Sequence, residues 1–285
     1  MTLHELLRPF EFEFFRNGLM VATIAGALCG MVGVYVVLKG MSYIGHGLSH
    51  AIFGGFAASA LLGVNLLLGA GAWGVASALM IQGVTRRRVI GSDAAIGVIT
   101  TASFAIGLAL FAVFGRRGAN FDAALFGSIL GVSREDVIVI SCITAVAAAF
   151  VFLRYRALLF STFDPEVAEA TGVKTAVVDA LLMVVLAASI LATMQVLGVT
   201  LVAATLVIPA TVARMLTNSF STMLWLATAI GAVCGFVGMN LSYQLDIQSG
   251  PMIVIVGAAL FAIVFVVTGP RRLRGAAGLR RTAVS

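Results

Sequence analysis

Charge is what this 285-residue sequence has least of. Asp, Glu, Lys and Arg make up 11% of it, less than half of the roughly 25% found in an ordinary soluble domain. The charges are also clustered, leaving uncharged apolar runs of about 20 residues, each long enough to cross roughly 30 Å of hydrocarbon. That excludes a soluble globular chain. Alternating ten-residue segments are missing too, which excludes a transmembrane β-barrel. There are only two lysines, Lys39 and Lys174, and neither completes a G-x-x-x-x-G-K-[ST] phosphate loop. If ATP powers this protein, another chain binds it. Cysteine is scarce as well. Cys29, Cys142 and Cys234 fall in different apolar runs, so they form neither a disulfide framework nor a CxxC metal site; each reads as a small buried hydrophobe.

What is present is apolar: 61% hydrophobic residues and a mean hydropathy of +1.10. The fold class is therefore all-α, a polytopic transmembrane helical bundle. Nine apolar segments are readable, near 18–38, 46–64, 66–84, 94–114, 136–156, 176–196, 199–216, 221–243 and 250–268. If 199–216 does not fully cross, the count is eight. The net charge of +6 and pI of 9.8 do not point to nucleic acid, because the basic residues border apolar segments, where they set orientation. Placing Arg86, Arg87 and Arg88 inside also places Lys39, Arg154, Arg156, Lys174, Arg214 and the tail from Arg271 inside. Nine spans then leave the N-terminus outside.

The chain divides into residues 1–17, read as an interfacial N-terminal helix rather than a cleavable signal, a membrane domain over 18–268, and a basic cytoplasmic tail over 269–285. Two small-residue stretches, Gly26-Ala27-Leu28-Cys29-Gly30 and Gly231-Ala232-Val233-Cys234-Gly235, have the spacing that lets helices approach closely in lipid. Pro209 interrupts a short apolar segment and predicts a kinked helix near the protein interior. The stretch 120–133 is too apolar for a free loop and too short for a span, so it reads as half-inserted or surface-lying. Ser133-Arg134-Glu135-Asp136 then resembles a helix cap with acidic first-turn residues. On the inner side, 161–173 predicts a short helix capped by Asp164 or Thr162, with Pro165 in its first turn and Gly172 ending it. Val167 and Ala170 are expected on one face and Glu166 and Glu169 on the other. Such a capped helix is a handle for a partner protein or simply a connector.

Two of the three histidines, His46 and His50, stand four residues apart inside an apolar run. On a helix they share one face, and two neutral imidazoles there can bind one metal ion; the alternative is two packed histidines bonded to nearby carbonyls. Polar groups inside a span are costly, which marks the pair as functional. Two ligands do not complete a site. Asp93, Asp179, Asn240 and Met41 are the candidates for a third, none indicated by spacing, and Asp93 reads first as an acidic residue at a helix N-terminus. Asp246, in the predicted external connector, is turn chemistry or an acidic contact for a partner.

These motifs together resemble the membrane permeases of bacterial metal-importing ABC transporters, the manganese, zinc and iron group. The resemblance runs from about Phe15 to Val267 and rests on several stretches. They are Val37-Leu38-Lys39-Gly40-Met41 with Gly45-x-x-Leu48-Ser49-His50-Ala51; Asp93-x-Ala95-Ile96-Gly97; Leu125-Phe126-Gly127-Ser128-Ile129-Leu130; Phe163-Asp164-x-Glu166-x-Ala168 with Gly172; the run from Val199 through Pro209 to Arg214; and Leu241-Ser242-Tyr243 through Asp246 to Gly250. It implies a type II ABC importer-like permease in the bacterial inner membrane and a pathway enclosed by two permease copies. Two cytoplasmic ATPase subunits and an external metal-binding lipoprotein would complete the assembly. The permease itself is then no enzyme and holds no permanent cofactor, only a transported divalent ion. The segment Asp164, Glu166, Ala168, Glu169 and Gly172 matches the coupling helix of the more distantly similar vitamin B12 importer permease. In the family the position of His46 usually carries Asp, with His50 retained, and the pair is thought to contact the ion. A secondary transporter driven by an ion gradient is the alternative; inverted repeats and mid-span carboxylates would mark it, and neither is visible.

Overall fold

The computed structural model describes residues 8–87, 90–114, 127 and 132–282. Among them every regular element is helical. A 3₁₀ turn over Arg8–Glu11 precedes α1 (Glu13–Leu38), α2 (Ile44–Leu62), α3 (Leu66–Arg86) and α4 (Ser92–Phe114). Then come α5 (Arg134–Leu153), α6 (Tyr155–Phe163), α7 (Pro165–Ala170) and α8 (Thr175–Leu197), and last α9 (Val202–Leu216), α10 (Phe220–Leu245) and α11 (Ser249–Thr282). The half-inserted helix expected over 120–133 lies outside the described residues, apart from Gly127, Val132 and Ser133.

All nine apolar segments become helices, but seven of them are long and apolar enough to cross a membrane. The expectation of eight or nine spans is therefore not reached on length and composition. The two exceptions have physical reasons. α9 has 15 residues, a rise of about 22 Å, which falls short of the hydrocarbon core. α2 has 19 residues, but two histidines, four glycines and two serines lower its hydropathy. Neighbouring helices shield it, and its buried positions run from Ile44 to Ser59.

α1 is the central helix. In its most apolar stretch 72% of residues are buried, against half or less in the other six. It packs most closely on α10, and the two small-residue motifs are the reason. A Cβ on Gly26 would lie 2.1 Å from the Gly231 carbonyl oxygen, and one on Gly235 the same distance from that of Ala22. These pairings run the two helices antiparallel, backbone against backbone. Residues 13–17 belong to this helix, with Phe15 wholly buried against Phe10 and Tyr243. Of the stretch 1–17 read as an interfacial helix, residues 1–7 lie outside the described residues; Arg8–Glu11 form the 3₁₀ turn, and Glu13 to Asn17 open α1. At the other terminus α11 continues as one helix to Thr282, past the apolar limit near 268.

Local chemistry sets the helix ends. Asn65 caps α3 by accepting from the N–H groups of Leu67 and Leu68. Ser133 and Asp136 form a reciprocal capping box on α5, as their sequence suggests. Within the helices, hydroxyls such as Thr23, Ser59 and Ser141 donate to the carbonyl four residues back, which satisfies them without water. Pro209 is buried inside α9, which continues through it, so the carbonyl of Thr205 receives no N–H from that position. Large apolar side chains on the outer surface, among them Val98, Ile138, Val146, Trp225 and Ile263, are more than half exposed. In water such a surface is a liability; facing lipid it is what the solvent requires.

Two ends of the bundle are distinct. One gathers the Lys39 turn, the C-terminus of α3 at Arg86, the N-termini of α4 and α8, and α6 and α7, all around one cleft of about 590 Å³. At the other, Arg134 Nε donates to Glu13 Oε1 at 2.6 Å, Tyr243 packs on Phe15, and Ser249 Oγ donates to the Val196 carbonyl. Lys39 and Arg86 lie at the α7 end and Asp246 follows α10 at the opposite end, which agrees with the orientation read from the basic residues.

Candidate functional site: a histidine pair above a charged cleft

α2 carries both histidines in its first two turns. It runs parallel to α4, with glycine where the two helices touch: a Cβ on Gly47 would meet Thr100 Oγ1 at 2.7 Å, and one on Gly54 the Ser103 carbonyl oxygen at 2.5 Å. Against this close neighbour the rings of His46 and His50 lie edge to face, with centroids 4.5 Å apart and planes at 82°. Their Nε2 atoms are 3.2 Å apart, so one ring donates and the other accepts. Phe104 of α4 covers His50 at 4.9 Å between centroids, and Tyr43 covers His46 at 5.5 Å. His50 Nδ1 is buried and has no hydrogen-bond partner.

This geometry is that of a mutually hydrogen-bonded pair, and it is also compatible with one shared cation. Two nitrogens 3.2 Å apart can each reach one ion at typical bond lengths of ~2.1 Å with an angle of about 100° between them, close to tetrahedral. An ion on the Nε2 atoms would leave the His50 Nδ1 without a partner as well, so that atom does not discriminate between the two arrangements. The site is nevertheless incomplete. Among the described residues no three His, Cys, Asp or Glu side chains gather to hold a metal. Asp93 is exposed in the first turn of α4, Asn240 donates to the Phe236 carbonyl on the surface of α10, and Asp179 is paired with Lys39. Met41 lines the cleft.

The short helix α7 forms as its sequence suggests. Asp164 Oδ1 accepts from the Val167 N–H at 3.0 Å, Pro165 occupies the first turn, and Gly172 takes φ +84°. The N–H of Gly172 then reaches the Glu169 carbonyl and that of Val173 the Ala168 carbonyl, which is a Schellman ending. Thr162 does not cap α7 and donates instead to the Leu158 carbonyl in α6. The buried residue is Ala168, while Val167, at 45% exposed, and Ala170 are both on the outside. A helix of six residues has too few turns for its own pattern to choose a face, so the elements behind it decide. Glu166 points to solvent with Val167. Glu169 accepts from Thr175 Oγ1 and pairs with Arg86 at 3.7 Å.

The cleft beside α7 is walled by Lys39, Met41, Arg86, Thr162, Glu169 and Asp179 among others. Lys39 and Asp179 meet at 2.9 Å, with side chains 12% and 33% exposed. Sequence reasoning missed this pair, since 140 residues separate the partners. The one available signal was a lysine in a chain that has only two. At a fully buried pair, removing one partner costs roughly 3–5 kcal/mol; the partial exposure of Asp179 puts this pair below that.

At the opposite end Asp246 takes φ +52° as the left-handed residue that closes α10. Next to it, Ile247 N–H donates to the Ser242 carbonyl and Ser242 Oγ to the Ile247 carbonyl. Its carboxylate is exposed.

Seven membrane-length helices, one of them the buried spine, with a half-buried histidine pair and a capped helix at one end, define a multi-pass membrane protein. Residues 11–268 match the ABC 3 transport family. The chain is 37% identical to the manganese transport system membrane protein MntC of Halalkalibacterium halodurans, over 90% of this chain and 87% of that one. It is 35% identical to a Haemophilus influenzae protein described as a probable iron transport system membrane protein, over 90% and 95%. Among solved structures, PsaBC from Streptococcus pneumoniae in complex with Fab superposes with a TM-score of 0.83 at 31% identity, covering 93% of this chain and 95% of that one. The chain therefore belongs to the ABC 3 transport family.

Proposed function

We propose that this chain is the membrane-spanning permease of an ATP-driven importer of divalent transition-metal ions, with manganese, iron and zinc as the candidate cargo. The observation that carries the reading is the His46–His50 pair, two imidazole nitrogens 3.2 Å apart on a shielded helix. Relatives named for manganese and iron transport support the substrate class. An ATPase on a separate chain fits the absence of any phosphate loop in this sequence. The permease works in the cytoplasmic membrane of a bacterium, in two copies that enclose one path, and receives its ion from an external binding lipoprotein.

In this reading His46 and His50 are transient ligands. Weak, incomplete coordination suits transport, because an ion bound too well does not leave. Water, backbone carbonyls or the second copy supply the remaining positions. Asp93, which follows the cleft-lining Ser92, is a point of passage for the ion, joining the ligands in another conformation. α7, through Asp164, Glu166, Ala168, Glu169 and Gly172, is the element that docks on the ATPase, and Asp246 is an acidic contact for the binding protein. Pro209 leaves α9 able to bend beside the path.

The test is ATP-dependent uptake of manganese, iron and zinc into vesicles holding the permease, ATPase and binding protein. Replacing both histidines with alanine is expected to abolish uptake while leaving the assembly intact. Undiminished uptake in the double variant would overturn the site.

A further inference from the structure

Lys39 takes no part in holding the ion, yet its side chain is withdrawn from solvent and makes two contacts. Its Nζ donates to Asp179 Oδ1 at 2.9 Å and to the Ser161 carbonyl oxygen at 3.2 Å. The three residues belong to three elements. Lys39 closes α1, Asp179 lies in the second turn of α8, and Ser161 lies in the last turn of α6. The Phe160 carbonyl accepts from the Asp164 N–H, but that of Ser161 receives none from Pro165, and a cation there also meets the negative end of the helix dipole. Three residues after Ser161 the chain turns at Asp164 into α7.

On its other side Lys39 leads without slack to the histidines. Gly40, at φ +68°, donates its N–H to the Val37 carbonyl, and Met41 donates to that of Val36. Ile44 N–H then reaches the Met41 carbonyl, and α2 begins there with His46 in its first turn. Hydrogen bonds from Gly40, Met41 and Ile44 tie this reversal at both ends, so a shift of Lys39 is passed to the base of α2. Glu169 provides a second attachment, holding α7 to the last residue of α3 and the first residue of α8.

We infer that Lys39 is a positioning residue for transport: it ties the end of α6, where α7 begins, to the turn that carries the histidine helix, so that a displacement of α7 reaches the ion station. This rests on the ATP-driven reading above. The two contacts predict a graded series. Lys39→Arg keeps the charge and both acceptors. Asp179→Asn loses the ion pair but keeps the Ser161 carbonyl. Lys39→Met loses both.

The experiment measures manganese uptake and phosphate release together in vesicles holding the complete transporter. The ratio of ions moved to ATP hydrolysed is expected to stay within twofold for Lys39→Arg, fall two- to fivefold for Asp179→Asn, and fall tenfold or more for Lys39→Met. Equal losses in Asp179→Asn and Lys39→Met would mean a merely structural pair and overturn the inference, as would a ratio unchanged in Lys39→Met. Should Lys39→Met fail to assemble, Asp179→Asn decides alone: a lowered ratio with hydrolysis retained supports the role, and an unchanged ratio overturns it. Failure of the unaltered transporter to move manganese, iron or zinc would instead overturn the transport reading.

Discussion

Gly26 and Gly231 meet backbone to backbone: a Cβ on either would lie about 2 Å from the other's carbonyl oxygen, at 2.1 Å and 2.0 Å. No side chain can yield there, so any added atom forces α1 and α10 apart.

The first prediction follows. Gly26→Ala is expected to lower stability by about 1–3 kcal/mol or more, the usual cost of overpacking. Gly83, inside α3 with nothing within 4 Å of an added Cβ, is the control. Gly83→Ala should raise stability by about 0.5–1 kcal/mol, since alanine is the better helix former. Thermal unfolding of the purified protein in detergent checks both, and the two shifts should have opposite signs.

In the proposed site His46 offers a nitrogen ligand, where the resemblance to the family implies an Asp. His46→Asp restores a negative charge and a harder ligand, which favours manganese over zinc. The expected change is a shift of roughly tenfold in relative uptake toward manganese, about 1.4 kcal/mol. Competition between the two ions in the uptake assay measures it, and a shift toward zinc would contradict the ligand role.

Asp164 and Gly172 bracket α7. Asp164→Ala removes the cap from Val167 and should cost about 1 kcal/mol of local stability. Gly172→Val places a branched residue at φ +84° and should cost roughly 1–2 kcal/mol. Both are expected to weaken co-purification of the ATPase subunit while overall unfolding stays close to normal. Glu169→Gln loses an exposed pair with Arg86, worth no more than about 1 kcal/mol, and should affect co-purification less.

Asp246 combines a backbone role with a proposed contact, and two substitutions separate them. Asp246→Asn tolerates the left-handed conformation and loses only charge. It should unfold normally but need several-fold more binding protein for half-maximal uptake. Asp246→Val strains the turn and should lower the unfolding temperature as well.

The sequence displays some of these relations and hides others, and the difference is one of range. Apolar length shows each membrane helix because lipid acts on every residue of a segment alike. The Ser133–Asp136 box and the Asp164–Gly172 brackets are legible because their hydrogen bonds span a few residues. The glycines of α1 and α10 announce close packing but not with whom. The Lys39–Asp179 pair is hidden, since nothing near either residue records the other. The burial of Ala168 is hidden for a related reason: it comes from what lies behind α7, not from the helix's own periodicity. The histidine pair was readable from its spacing alone; that Phe104 and Tyr43 enclose it was not.

α9 has a consequence for the membrane itself. It begins in a buried turn, with Val199 and Val202 fully enclosed and the N–H groups of Leu201 and Val202 both directed to the Gly198 carbonyl, and it ends with Arg214 exposed. Protein covers much of the start of this helix, where Thr200, Leu201, Ala203 and Ala204 are half-buried. The depth of α9 is therefore fixed by protein walls rather than by acyl chains. When the bilayer thins or thickens, the longer helices must tilt to follow, and α9 stays where its neighbours hold it.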